Sequence, residues 1–280
     1  MFSYAQAAIL GLLQGVTELF PISSLGHTVL LPALLGWQIN QASAQFVSFV
    51  VLTHLATALV LLAFFWQDWV NIVGGIFRSL RERSIAETDT YAKLGWLIVV
   101  STIPVGIVGL LFQERLTQLF AAPRLVAGAL LLNGIVLYVA EQLRKKAQEG
   151  KSDDAALAHL SWWQAVGVGI AQCFALIPGF SRTGLAMTGG LSSGLSHENA
   201  ARYAFLLATP VIFAAALLKV PGIFVGGGTL VGQSLFGALC AAVAAYFSIR
   251  FLTKYFQSKT LTPFALYCAI AGAVFFLALS

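Results

Sequence analysis

The sequence predicts an all-α integral membrane protein, an inverted-topology repeat with six spanning helices and two re-entrant helical hairpins. Composition is the first observation behind this reading. Of 280 residues, 59 % are hydrophobic and 10 % charged, whereas a soluble domain carries about 25 % charge. With a mean hydropathy of +0.85, the chain has too few polar groups to cover a globular surface in water. The apolar stretches are the second observation, being either long enough to cross a bilayer or interrupted near their middle. An internal repeat is the third: Pro21, Ser24 and Ala44-Gln45-Phe46 stand opposite Pro178, Ser181 and Ala201-Arg202-Tyr203 at a constant offset of 157.

In chain order, residues 5–36 form the first interrupted segment, with its break at FPISSLGH (20–27). The N-terminus has no basic region or small-residue cleavage site, so it reads as part of this segment and not as a cleavable signal. Each half of the segment falls short of the roughly 20 apolar residues a crossing needs, which predicts a hairpin that enters the membrane and returns. Spanning helices are expected over 44–66, 93–112 and 124–142, with the polar stretches 67–92 after the first and 143–161 after the third, both read as loops. Residues 162–195 repeat the pattern of the first segment, with a break at IPGFSRTG (177–184), and further spans are expected over 200–219, 229–250 and 261–279. Residues 1–142 are then one repeat and 162–280 the second. Each holds a hairpin and three crossings, and an odd number of crossings inverts the second repeat.

The basic residues orient this arrangement. If both hairpins return to their own side, 12 Lys and Arg share one face and 3 the other; if each hairpin crossed, the split would be 9 to 6. Cytoplasmic loops are enriched in Lys and Arg, so the 67–92 and 143–161 stretches are expected in the cytoplasm and both termini outside. The net charge of +5 reflects few acids and no basic face, which excludes a nucleic-acid partner. Cys173, Cys240 and Cys268 lie in apolar stretches without metal-ligand spacing and read as small buried residues.

The membrane interior holds one clear carboxylate, Glu18, and one clear guanidinium, Arg182, each beside a helix break. Such groups are costly in hydrocarbon and point to function. Gln14 lies one helical turn before Glu18, on the same face, where the pair could hold a divalent ion or orient a water. Arg182 is flanked by Ser181 and Thr183 and preceded by Gly179, a turn suited to an anion, with a guanidinium able to grip two phosphate oxygens. Ser23, Ser24 and His27 occupy the first break; Ser24 and His27, three residues apart, could pair as nucleophile and base or acid. His54, in the 44–66 span, is a weaker candidate, and His159 and His197 read as solvated loop-edge residues. Matched broken helices in two halves are also how membrane carriers build a substrate site. A flippase or carrier of a prenyl phosphate or small anion is therefore the alternative to an enzyme.

These motifs resemble those of the undecaprenyl-diphosphate phosphatase family of the bacitracin-resistance type. Its (E/Q)-x-x-x-E, P-x-S-S-x-G-H and P-G-x-S-R motifs are matched by Gln14-Gly-Val-Thr-Glu18, Pro21-Ile-Ser-Ser-Leu-Gly-His27 and Pro178-Gly-Phe-Ser-Arg182. The resemblance implies a multi-pass protein of the bacterial cytoplasmic membrane whose site opens to the extracytoplasmic side. It implies hydrolysis of undecaprenyl diphosphate to the monophosphate, recycling a lipid carrier for cell-wall polymers. Glu18, Ser24, His27 and Arg182 are the catalytic residues it implies, with Gln14, Ser23, Gly179, Ser181 and Thr183 around the diphosphate. Glu18 and Gln14 are its expected ligands for a divalent cation, Mg or Ca. Leu25, Thr183 and Ala186 depart from the usual pattern and remove hydroxyls around the phosphates.

Overall fold

A computed structural model describes residues 2–145, 157–219 and 228–279. Among these residues the chain is entirely helical, with twelve α-helices, one 3₁₀ turn and no strand. Five helices are long and apolar enough to cross a membrane: Ala44–Phe64, Thr90–Leu111, Pro123–Arg144, His197–Leu218 and Val231–Tyr255. The expected sixth span, 261–279, folds as a 17-residue helix. Most of the 143–161 stretch lies outside the described residues.

The first interrupted segment divides into α1 (Tyr4–Thr17) and α2 (Ser24–Leu34), and the second into α8 (Trp162–Phe174) and α9 (Arg182–Ser192). The same local chemistry starts both. Ser3 and Gln6 form a capping box at α1, Ser161 and Gln164 one at α8, so the first free N–H groups of each helix are satisfied reciprocally. Ser23 caps α2 through the Gly26 N–H, and Ser181 caps α9 through the Gly184 N–H. The helices after the breaks have 11 residues each, about 16 Å of rise against roughly 30 Å of hydrocarbon.

Between the segments run α3 (Ala44–Phe64), α4 (Trp66–Glu82), α5 (Thr90–Leu111), the short α6 (Gln113–Gln118) and α7 (Pro123–Lys145). The chain closes with α10 (His197–Lys219), α11 (Gly228–Tyr255) and α12 (Thr262–Ala278). The halves interdigitate: α1 packs on α11, α8 on α5, α3 on α10 and α7 on α12. Small residues permit the close approaches, as expected where lipid gives no hydrophobic drive to helix association. A Cβ on Gly15 would run into the Ala241 carbonyl, and one on Gly134 would meet the Ala265 and Ala269 backbones. Large apolar side chains such as Leu239, Phe247, Ile270 and Val274 remain on the outside.

The structure departs from two expectations here. The 67–92 stretch is not a loop through its length, since α4 occupies 66–82 and buries Ile72, Gly75 and Ser79 against α5. Its charges lower the mean hydropathy below that of a span, while Trp69, Ile72, Val73, Ile76, Phe77 and Leu80 recur at helical spacing on one face of a strongly amphipathic helix. Arg78 donates two 3.0 Å bonds to Asp89, whose carboxylate also caps α5 through the Ala92 N–H. The Arg78 hydrogen bonds hold the Asp89 carboxyl below the ordinary Asp range. His197, expected in solvent, is buried, with Nε2 2.7 Å from Glu141 Oε2. Glu141 also accepts the Leu261 N–H and so joins α7, α10 and the start of α12.

Candidate active site

The two breaks bring their polar residues together. Glu18 follows the last residue of α1 and donates its N–H to the Gln14 carbonyl at 2.9 Å. Its buried carboxylate gathers donors from four directions. Oε2 accepts from Gln14 Nε2 at 3.1 Å and from the Ser24 hydroxyl, and lies 3.1 Å from His54 Nε2; Oε1 accepts from Arg182 Nη2. Gln14 reaches it because four residues make one helical turn, and Ser24 because it opens α2. Arg182 is delivered from the other half as the first residue of α9.

The breaks are also tied to each other. Ser23 Oγ accepts the N–H groups of Gly26 and Gly179, both at 3.1 Å. Asn133 of α7 sits between the breaks, donating to the Pro21 carbonyl and accepting the Ser181 N–H. Thr183 donates to the Glu18 carbonyl at 2.9 Å. Gly179 has φ of +108°, and a Cβ there would collide with the Val126 carbonyl and Ala129. Only glycine supplies that backbone turn in that space.

A cavity of about 130 Å³ opens onto this cluster. Glu18, Ser24, His54, Ser181 and Arg182 form its polar wall, and Leu25, Leu176, Phe180, Val211 and Ile212 are prominent in its apolar wall. Among the buried polar atoms without a partner in the described residues, two belong to this cluster, Arg182 Nη1 and Gln14 Oε1. The first is a donor and the second an acceptor, and buried polar groups left unpaired call for a ligand, water or ion.

The nine residues singled out in the sequence therefore separate. Gln14, Glu18, Ser24 and Arg182 meet. Ser181 lines the cavity while its hydroxyl caps α9. Ser23, Gly179 and Thr183 use their polar groups to join the two breaks. His27 is not brought to Ser24: its ring bonds the Ser23 carbonyl and Tyr267 of α12. The imidazole at the cluster is instead that of His54, which the sequence reading ranked low. Its Nδ1 lies 2.8 Å from the Val50 carbonyl, and its Nε2 lies 3.1 Å from Glu18 Oε2 and 3.3 Å from Ser24 Oγ; a carbonyl and a carboxylate only accept, so both ring nitrogens act as donors. The signal was present, since His54 is the one ionisable residue between 44 and 66. Asn133, the one amide between 125 and 140, was findable on the same ground; Tyr267 carried no such mark.

The fold and the cluster define a multi-pass membrane protein with a charged site enclosed between two helix breaks. The profile of the family described as bacitracin resistance protein BacA matches residues 7–274, and the chain belongs to that family. It is 47 % identical to a protein named undecaprenyl-diphosphatase from Mycolicibacterium paratuberculosis, over 96 % of this chain and 95 % of that protein. It is 40 % identical to undecaprenyl-diphosphatase 2 of Frankia alni, with 97 % and 96 % covered, and 44 % identical to undecaprenyl-diphosphatase 1 of Burkholderia pseudomallei, with 94 % and 92 % covered.

Proposed function

We propose that this chain hydrolyses undecaprenyl diphosphate to undecaprenyl phosphate and inorganic phosphate, returning a lipid carrier to cell-wall synthesis. One observation carries the proposal: Arg182, one of whose buried guanidinium nitrogens has no partner among the described residues, lines a cavity together with a serine whose hydroxyl is bonded to a carboxylate. The relatives' names support hydrolysis over carriage.

The chemistry follows from the contacts. The terminal phosphoryl group engages Arg182, which shifts from Glu18 toward the phosphate oxygens, a bidentate partner. Ser24 Oγ attacks phosphorus while its proton passes to Glu18, which already accepts that hydroxyl. The bond to the bridging oxygen breaks and undecaprenyl phosphate leaves. The proton on Glu18 passes to the departing undecaprenyl phosphate oxygen; water then attacks the phosphoserine and gives a proton to the freed carboxylate, the Ser24–phosphorus bond breaks, and Ser24 takes that proton as inorganic phosphate departs. His54, anchored on Val50, steadies the charge on Glu18 Oε2 through these steps. The orphaned Gln14 Oε1 beside Glu18 would suit a divalent cation, Mg or Ca, since both take oxygen ligands; Mg would need only one or two from the protein with substrate phosphates and water completing its shell, whereas Ca would need about six to eight in all. Gln14 and Glu18 would hold it, and it would neutralise diphosphate charge.

In this reading α1–α2 and α8–α9 are re-entrant hairpins of two inverted repeats, supported by helix lengths near half a bilayer and by the matched capping. The cavity opens outside. Its Val211 and Ile212 wall lies in the half of α10 toward Lys219, on the face poor in basic residues, and both termini share that side. The prenyl tail follows the apolar wall into lipid. Purified protein in detergent should release phosphate from undecaprenyl diphosphate, Ser24→Ala should release none, and His54→Gln should retain more activity than His54→Ala. Absence of release from active-folded wild type, with lipid moved across vesicles instead, would overturn the proposal in favour of a carrier.

A further inference from the structure

We propose that His27 and Tyr267 form a latch that aims the Ser24 hydroxyl, acting as positioning residues that touch neither substrate nor reacting atoms. The inference rests on the reading of Ser24 above and adds to it the source of its orientation.

Both ring nitrogens of His27 are engaged. Nδ1 lies 2.7 Å from the Ser23 carbonyl and Nε2 2.7 Å from the Tyr267 hydroxyl. A carbonyl only accepts, so Nδ1 carries the proton and the Tyr267 hydroxyl can donate to Nε2. The two rings lie nearly parallel, 11° apart with centroids at 5.7 Å. His27 is buried, and neither it nor Tyr267 lines the cavity that Glu18, Ser24, His54 and Arg182 enclose. No nitrogen is left to take a proton from a nucleophile.

The carbonyl they hold belongs to an unusual residue. Ser23 has φ of +70°, a conformation that residues with a Cβ rarely adopt and that surrounding contacts must impose. Its hydroxyl accepts two N–H groups, one from Gly179 of the opposite break. Its carbonyl accepts two more donors, the His27 backbone N–H at 3.2 Å and the His27 ring. A peptide unit is planar, so fixing the Ser23 oxygen fixes the plane that carries the Ser24 nitrogen. That plane sets the direction in which Ser24 projects toward Glu18. Tyr267 holds the tautomer and orientation of the ring from the last helix, 240 residues away in sequence.

The test uses intact protein in detergent and undecaprenyl diphosphate. His27→Leu, which removes both bonds, should lower kcat roughly 100-fold with little change in KM, the scale of a slightly misplaced reacting group. His27→Asn, which can still donate to the Ser23 carbonyl, should recover most of that loss. Tyr267→Phe should lower kcat about three- to tenfold, the range of one net hydrogen bond. It should have no further effect in the His27→Leu background. Every active variant should keep the wild-type shape of the kcat–pH profile. The latch is refuted if His27→Asn is as inactive as His27→Leu and the surviving activity loses one limb of the profile, because His27 would then transfer the proton itself. It is equally refuted if the Tyr267→Phe effect multiplies with that of His27→Leu. Failure of the underlying reading looks different, since Ser24→Ala would then release phosphate normally whatever happens at His27.

Discussion

Glu18→Gln and Arg182→Gln, separately and together, test whether the buried charges balance each other while serving the reaction. The Glu18 side chain is 5 % exposed and that of Arg182 13 %. Removing one partner of a buried pair costs about 3–5 kcal/mol because the other charge is left unpaired. The cavity of about 130 Å³ beside the pair lets water reach Arg182, so about 2–3 kcal/mol is the expected cost for Glu18→Gln. Arg182→Gln should cost less, about 1–2 kcal/mol, because Glu18 keeps Gln14, Ser24 and His54. The double variant carries no buried charge at the pair, so a coupling of about 2 kcal/mol should make it more stable than the sum of the singles predicts. Thermal unfolding in one detergent reads this, with phosphate release measured in parallel. None of the three should turn over substrate. Arg182→Lys supplies the control: it should restore most of the stability while activity stays roughly 100-fold or more below wild type, since an ammonium cannot form the guanidinium fork. Additive destabilisation in the double variant would refute charge compensation. Normal turnover in Glu18→Gln would refute its role with Ser24, and near-normal turnover in Arg182→Lys would reduce Arg182 to a counter-ion.

Orientation has its own test. A cysteine at exposed Glu87, in a background without the three native cysteines, should be shielded from an impermeant thiol reagent in intact cells and labelled after permeabilisation; labelling from outside would reverse the topology. At the start of α5, Asp89→Ala should cost about 1 kcal/mol at neutral pH through the lost cap. Arg78 lowers the folded-state pKa of Asp89, so the ionised form's contribution is present above the unfolded Asp value and is lost as pH falls through the lower folded value. The gap in thermal stability between wild type and Asp89→Ala should narrow between about pH 5 and pH 3, and a gap unchanged over that range would exclude the charge.

The interrupted segments, the five long apolar helices and the pair Glu18 and Arg182 were legible in the sequence because hydrocarbon penalises every unsatisfied polar group. A Pro-Gly-Ser break or a lone charge in an apolar run stands out without any knowledge of its neighbours. The helix in 66–82 was legible as well, through apolar residues at helical spacing from Trp69 to Leu80, but its charges hold it below the hydropathy of a span, which reads as a loop. Tertiary structure alone decided which polar groups meet. Glu18 and Arg182 are 164 residues apart and His27 and Tyr267 240, and their contacts depend on how α1, α2, α9 and α12 are packed and rotated. Three-residue spacing placed His27 within reach of Ser24, yet its ring found two partners elsewhere, and His54 came to the carboxylate across a helix interface. Spacing along a helix constrains which side chains can share a face; the interface opposite that face determines which partner each one takes.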